Sequence, residues 1–96
     1  MALGRAKATV GVASSVIVPA NDGRTSLLIV NDSDTDIYLA EGPTAVLNEG
    51  LRINAAGGTY GDDRTNITSG MWTGPIAAIA AAGGKNVAIM ERDLNR

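Results

Sequence analysis

The stretch Arg24 to Glu41, RTSLLIVNDSDTDIYLAE, constrains this chain more than any other. An apolar run, Leu27-Leu28-Ile29-Val30, is followed by the polar knot Asn31 to Asp36 and by a second run, Ile37-Tyr38-Leu39-Ala40. Two β-prone runs around a turn-forming cluster predict a hairpin. Asn, Asp and Ser suit the middle because their short side chains bond to nearby backbone and tolerate tight-turn dihedrals. The first run has no polar break, so both of its faces are expected to be covered, as on an inner strand. The hairpin is expected to sit at the centre of an all-β domain.

The rest of the chain reads as strands laid around it. Residues Met1 to Ala8 have no clear period and predict a mobile arm, or one that orders on a partner through Leu3, Arg5 and Lys7. Thr9 to Val18 predicts one bent or two short strands, with Val10, Val12, Val16 and Val18 on a common alternation and Ser14-Ser15 at the bend. Pro19 to Gly23 is a turn, and Gly42-Pro43 stops the second run because Pro has no donor for a ladder. Leu51 to Asn54 alternates as a short strand. Ala55 to Asp63, rich in Gly and Asp, reads as a long excursion, and Thr65 to Thr68 as another short strand ended by Ser69-Gly70. Ile76 to Ala82 is ambiguous, since its alanines and the Ile76/Ile79 spacing also suit a helix. Gly74-Pro75 and Gly83-Gly84 leave it too short for a stable helix, so strand is expected. Val87 to Glu91 closes the domain, with a polar tail beyond.

About seven or eight short strands separated by turn signals predict an antiparallel β-sandwich or jelly roll, with a compact barrel as second choice. The expected organisation is an arm over 1–8, one sandwich domain over 9–93 and a tail over 94–96. A 96-residue chain is one modest domain, and with no Phe, one Trp and two Tyr its core leans on Ala and small aliphatics. Such a core suggests that docking on another subunit contributes to stability.

Composition removes several kinds of function. A net charge of −2 with scattered basic residues argues against nucleic acid as a partner. No apolar run approaches the roughly 18 residues of a membrane span, and the first residues make no convincing signal peptide. The chain has no His and no Cys, which excludes imidazole bases, thiol nucleophiles and the usual zinc ligands. Carboxylates alone suit a glycosidase pair, but nearly all of these lie in turns, where solubility and turn chemistry explain them. The chain is expected not to be an enzyme. Asp32-Ser33-Asp34-Thr35-Asp36 alternates carboxylates as a calcium loop does, yet Ile37 and Pro43 occupy the places where that loop needs Gly and Glu. No metal or cofactor is expected. Two glycosylation sequons, at Asn31 and Asn66, have no secretion signal to give them meaning. Tyr38, Tyr60 and Trp72 are the aromatics able to serve as sugar platforms, although a lone Trp is more often structural.

Arg24-Thr25-Ser26-Leu27-Leu28-Ile29-Val30-Asn31, Asp36-Ile37-Tyr38-Leu39, Trp72 to Ile79 and Val87 to Glu91 together resemble small virion proteins of tailed bacteriophages. In these an R-x-S-L-x-I-x-N strand, an I-Y-L strand, a G-x-I-x-A-I strand and a closing strand ending in Glu follow in that order. The resemblance spans Val16 to Asp93 and rests on strand patterns. It implies a β-sandwich or jelly-roll module without catalytic residues, of a kind that decorates capsids as a cement protein or occurs on fibres and tail parts. The expected function is then a non-enzymatic structural protein on the capsid exterior, made in the host cytoplasm. Its partners would be the major capsid protein and sister copies in a homodimer or homotrimer, with no nucleic acid and no membrane. Leu3, Arg5, Lys7, Tyr60 and Trp72 are the candidate interface. The alternatives are a carbohydrate-binding or adhesion module, and a tail, neck or fibre component.

Overall fold

A computed structural model describes residues 2–63 and 72–93. It contains eight strands: β1 (Ala2–Val10), β2 (Ser15–Val18), β3 (Arg24–Asn31), β4 (Ile37–Glu41), β5 (Leu51–Ile53), β6 (Thr59–Asp63), β7 (Ile76–Ala80) and β8 (Lys85–Asp93). They form two four-stranded antiparallel sheets, ordered β1-β8-β3-β6 and β2-β7-β4-β5. In this order β1 and β2, β8 and β7, β3 and β4, and β6 and β5 occupy matching places in the two sheets, so each strand stands across from a sequence neighbour. This is the strand order of a jelly roll.

The segment expected to be a hairpin is therefore a crossing between sheets. β3 pairs with β6 and β8, whereas β4 pairs with β5 and β7. The registers Val10↔Lys85, Asn31↔Val87 and Val30↔Thr59 bring four of the crossings between sheets, 11–14, 32–36, 54–58 and 81–84, to one end. Backbone bonds lace them sideways: Ala80 N to Gly11 O at 2.9 Å, Ala56 N to Ser33 O at 2.8 Å and Gly57 N to Asn31 O at 2.8 Å. Gly58 belongs to this lacing, since a Cβ there would sit 2.3 Å from Asn54 N.

The core lies between the sheets and is filled from alternate positions: Leu27 and Ile29 on β3, Ile37 and Leu39 on β4, Ile76, Ala78 and Ala80 on β7, Val87 and Ile89 on β8. Each buried Leu or Ile side chain contributes on the order of 1.5–3 kcal/mol. The outer faces differ. Ala77 alternates with inward Ile76 and Ala78 yet is fully buried, because the 42–50 loop crosses that side: Ala45 is buried and its N–H donates to Ser14 Oγ at 2.8 Å. Among the described residues the outer face of β1-β8-β3-β6 has no such cover, and Leu28 on the inner strand β3 is 43% exposed. The unbroken run Leu27 to Val30 is on an inner strand as expected, but the described residues cover only one of its faces.

Further expectations change. Residues 2–8, read as an arm, belong to β1, in continuous register with β8 from Ala2↔Asp93 to Val10↔Lys85. Ladder bonding overrides their weak propensity. Val10 and Val18 are buried but Val12 and Val16 are exposed, because the chain changes sheets at 11–14 and the β2 register shifts between Val16 and Val18. The 55–63 excursion ends in β6, whose Gly- and Asp-rich sequence is held by β3. Lys85, Asn86, Arg92 and Asp93 extend the closing strand. The short strand expected over 65–68, its stop at 69–70 and the Asn66 sequon lie outside the described residues.

Candidate functional site

Among the described residues two polar side chains are fully buried, Arg24 and Asn31, one at each end of β3. Strict alternation from Leu27, Ile29 and Asn31 would turn position 25 inward. The register irregularity between Arg24 and Ser26 turns Arg24 inward instead. Its Nε meets Glu91 Oε2 at 2.6 Å, Nη1 donates to the carbonyls of Trp72 at 2.9 Å and Gly74 at 3.2 Å, and Nη2 donates to that of Pro19 at 2.8 Å. One planar fork thus ties β8, the 72–75 segment and the 19–23 turn together. It is a structural knot, since its donors are spent on protein groups.

Asn31 does the same at the other end without charge. Its Nδ2 donates to Thr35 O at 2.8 Å and Ile53 O at 3.0 Å, while Oδ1 accepts from Ser33 N at 2.9 Å and Ser33 Oγ at 2.6 Å. These bonds close the 32–36 crossing and join it to β5. A fully buried amide with both N–H groups engaged is no glycan acceptor in the folded chain. The Arg and Asn of the R-x-S-L-x-I-x-N pattern are pins of the fold.

The acidic turn is occupied likewise. Asp34 Oδ1 pairs with Lys85 Nζ at 2.7 Å, and that bond holds the Asp34 carboxyl below its usual range. Asp36 Oδ1 accepts from Ala55 N at 2.9 Å. Among the described residues no group of three His, Cys, Asp or Glu side chains is placed to hold a metal ion.

The candidate interface residues are not brought together. Leu3, Arg5 and Lys7 stand on edge strand β1, in register with Arg92, Met90 and Ala88 of β8. Tyr60 is on β6 at the other edge, with Trp72 close by, and both pack against the core. The Tyr60 hydroxyl donates to Glu41 Oε2 at 2.7 Å, bridging the sheets. Burial first, then that bond to a carboxylate, push the Tyr60 phenol far above its ordinary value. The Trp72 indole donates to Pro75 O at 2.9 Å, its backbone N–H donates to Asp62 Oδ2 at 3.1 Å, and Gly74 lies against its ring. Both aromatics close the sandwich with their polar atoms engaged.

What the residue-by-residue reading missed is the bare outer face. There Leu28 stands opposite Met90, and Val30 opposite Ala88. Shallow grooves of about 410 and 270 Å³ lie on either side of the Leu28/Met90 pair, the larger reaching Ser26 and Arg92, the smaller floored by Val30 and Ala88. The unbroken apolar run was the signal for it, since a strand with a solvated side normally alternates. No protein-family model, curated protein or solved structure matches the chain.

Proposed function

We propose that this protein is a non-enzymatic structural module of a phage particle, a capsid decoration protein that docks through the outer face of β1-β8-β3-β6. One observation carries the reading: among the described residues an inner strand with apolar residues on both sides has cover on one side only, leaving Leu28 and Met90 exposed at the centre of a sheet. Exposed apolar surface at a sheet centre marks an interaction site. The resemblance to small virion proteins supplies the partner, the major capsid protein. A rigid jelly roll suits the role, because a cement protein needs area and stiffness and many symmetric copies multiply weak contacts. Homodimers or homotrimers of the protein would present several such faces at once.

The double variant Leu28→Ser/Met90→Ser tests this on purified capsids lacking the protein, with bound copies counted by quantitative gel. Occupancy falls at least tenfold while the thermal melt of the free protein stays within a few degrees. Undiminished occupancy would overturn the docking face, and failure of the unaltered protein to bind capsids at all would overturn the assignment to the capsid.

A further inference from the structure

The β1 edge carries an independent inference. Among the described residues, four strands border the sheets, and three of them are short or interrupted. β5 has three residues, β2 has four and a register shift, and β6 has five. β1 has nine residues, no Pro, and a register with β8 that never shifts. A long regular edge presents a row of backbone donors and acceptors to any extended segment.

The chemistry beside that edge is two-sided. On the inward side Ala6 is exposed, and Ala8 and Ile17 are half-buried against the core. Among the described residues β2, four residues long, is too short to cover this part of β1, which leaves a slot of small side chains along the edge. On the outward side Lys7, in register with Ala88, is exposed. Along β1 the sequence carries two basic residues, Arg5 and Lys7, and no acidic one. A strand added here directs alternate side chains into the slot and towards Lys7.

Charge decides between occupants. An antiparallel β1 from a second copy, centred on Lys7, sets that exposed cation against its own copy, which is destabilising. An acidic segment meets the opposite situation. We infer that the β1 edge accepts, by strand addition, an extended segment of another protein in which acidic and apolar residues alternate. The inference stands apart from the docking reading, because it uses the backbone groups along the edge of the sheet and not the Leu28/Met90 pair, although Ala6 borders the smaller groove as well.

The experiment uses the full chain and two synthetic, end-blocked, fluorescently labelled heptapeptides, one alternating Glu with Val and one alternating Lys with Val. Anisotropy titrations at low salt are expected to show the Glu peptide binding about tenfold more tightly than the Lys peptide. Lys7→Glu, an exposed change that leaves the fold intact, should reverse or abolish that preference. Hydrogen exchange should slow at β1 amides on adding the Glu peptide, and not at β6. Equal binding of both peptides, no binding of either, or protection that falls on Leu28 and Met90 would overturn the inference. So would self-association of the free chain that protects β1 before any peptide is added.

Discussion

The two long sides of this sandwich are closed by opposite means. On the β6 side, Tyr60 and Trp72 fill the gap between the sheets, and their hydroxyl and indole groups are bonded to Glu41 and Pro75. On the β1 side, among the described residues, Ala8 and Ile17 do this, and Ala6 is left exposed. Of the three aromatics, Tyr60 and Trp72 pack against the core on this flank, and Tyr38 stands on β4 in register with Ile79. The lesson is about division of labour: the aromatic flank stabilises the fold, and the small-residue flank leaves a long edge open. Substitutions on the two sides should therefore differ in size and even in sign.

The largest effect is expected at Arg24, which anchors the aromatic flank by binding the carbonyls of Trp72 and Gly74. Arg24→Met leaves Glu91 and three part-buried carbonyls without their donor, a loss of about 3–5 kcal/mol. Against a total of roughly 5–15 kcal/mol, that brings the chain near unfolding. Urea titration should show the midpoint collapsing, with the Trp72 emission already red-shifted in buffer. Lys7→Met on the opposite flank should stay within about 0.5 kcal/mol. Comparable losses at the two positions would break the comparison.

Gly74→Ala comes next. A Cβ there would lie 2.6 Å from Trp72 Cζ2, so the ring or the backbone must move. Overpacking of this kind costs about 1–3 kcal/mol. Near-ultraviolet circular dichroism of the single Trp is the direct readout, and an unchanged spectrum with unchanged stability would show that the indole is not wedged.

Tyr60→Phe removes only the hydroxyl bond to Glu41, and a loss near 1 kcal/mol is expected. Its pH dependence is more telling. The folded Tyr60 phenol holds its proton more tightly than the unfolded one, so the stabilisation is fully present below the ordinary tyrosine value near 10 and is lost as pH rises above it. Denaturation midpoints between pH 8 and roughly 11 should fall more steeply in the parent protein than in Tyr60→Phe. Parallel curves would remove the Tyr60–Glu41 link from the account of this flank.

Much of the strand content was legible, because alternation and turn residues are local. β4, β5, β7 and the core of β8 follow directly from apolar runs bounded by Gly, Pro and Asn. Pairing was not legible at 31–36, where turn chemistry is the same whether two strands share a ladder or face each other across a core. Asn31 made the difference: a buried amide bonded to Thr35 and Ile53 turns the chain into the second sheet. β1 and β6 were hidden for a complementary reason. Their Gly, Ala, Lys and Asp residues carry little strand propensity, and neighbours in the ladder impose the conformation. Of the candidate site, Leu3, Arg5 and Lys7 were picked as contacts on an arm, and Tyr60 and Trp72 as an interface. The strand edge and the flank closure depend on strand order, which no local pattern states.

The smallest change tests the open flank most directly. Ala6 lies in register with inward-facing Ile89, yet it is exposed, so the slot beside it has room. In a closed flank, enlarging an inward side chain costs stability. Here Ala6→Val adds a β-branched side chain to a strand and covers apolar surface, so it should stabilise the fold by about 0.3–1 kcal/mol. The same added bulk should weaken binding of the Glu–Val heptapeptide, because it fills the space the peptide's valines would occupy. Higher stability with weaker peptide binding is a pair of opposite signs that neither a closed flank nor an inert edge produces. A destabilised Ala6→Val protein would show instead that the β1 side is as tightly packed as the aromatic one.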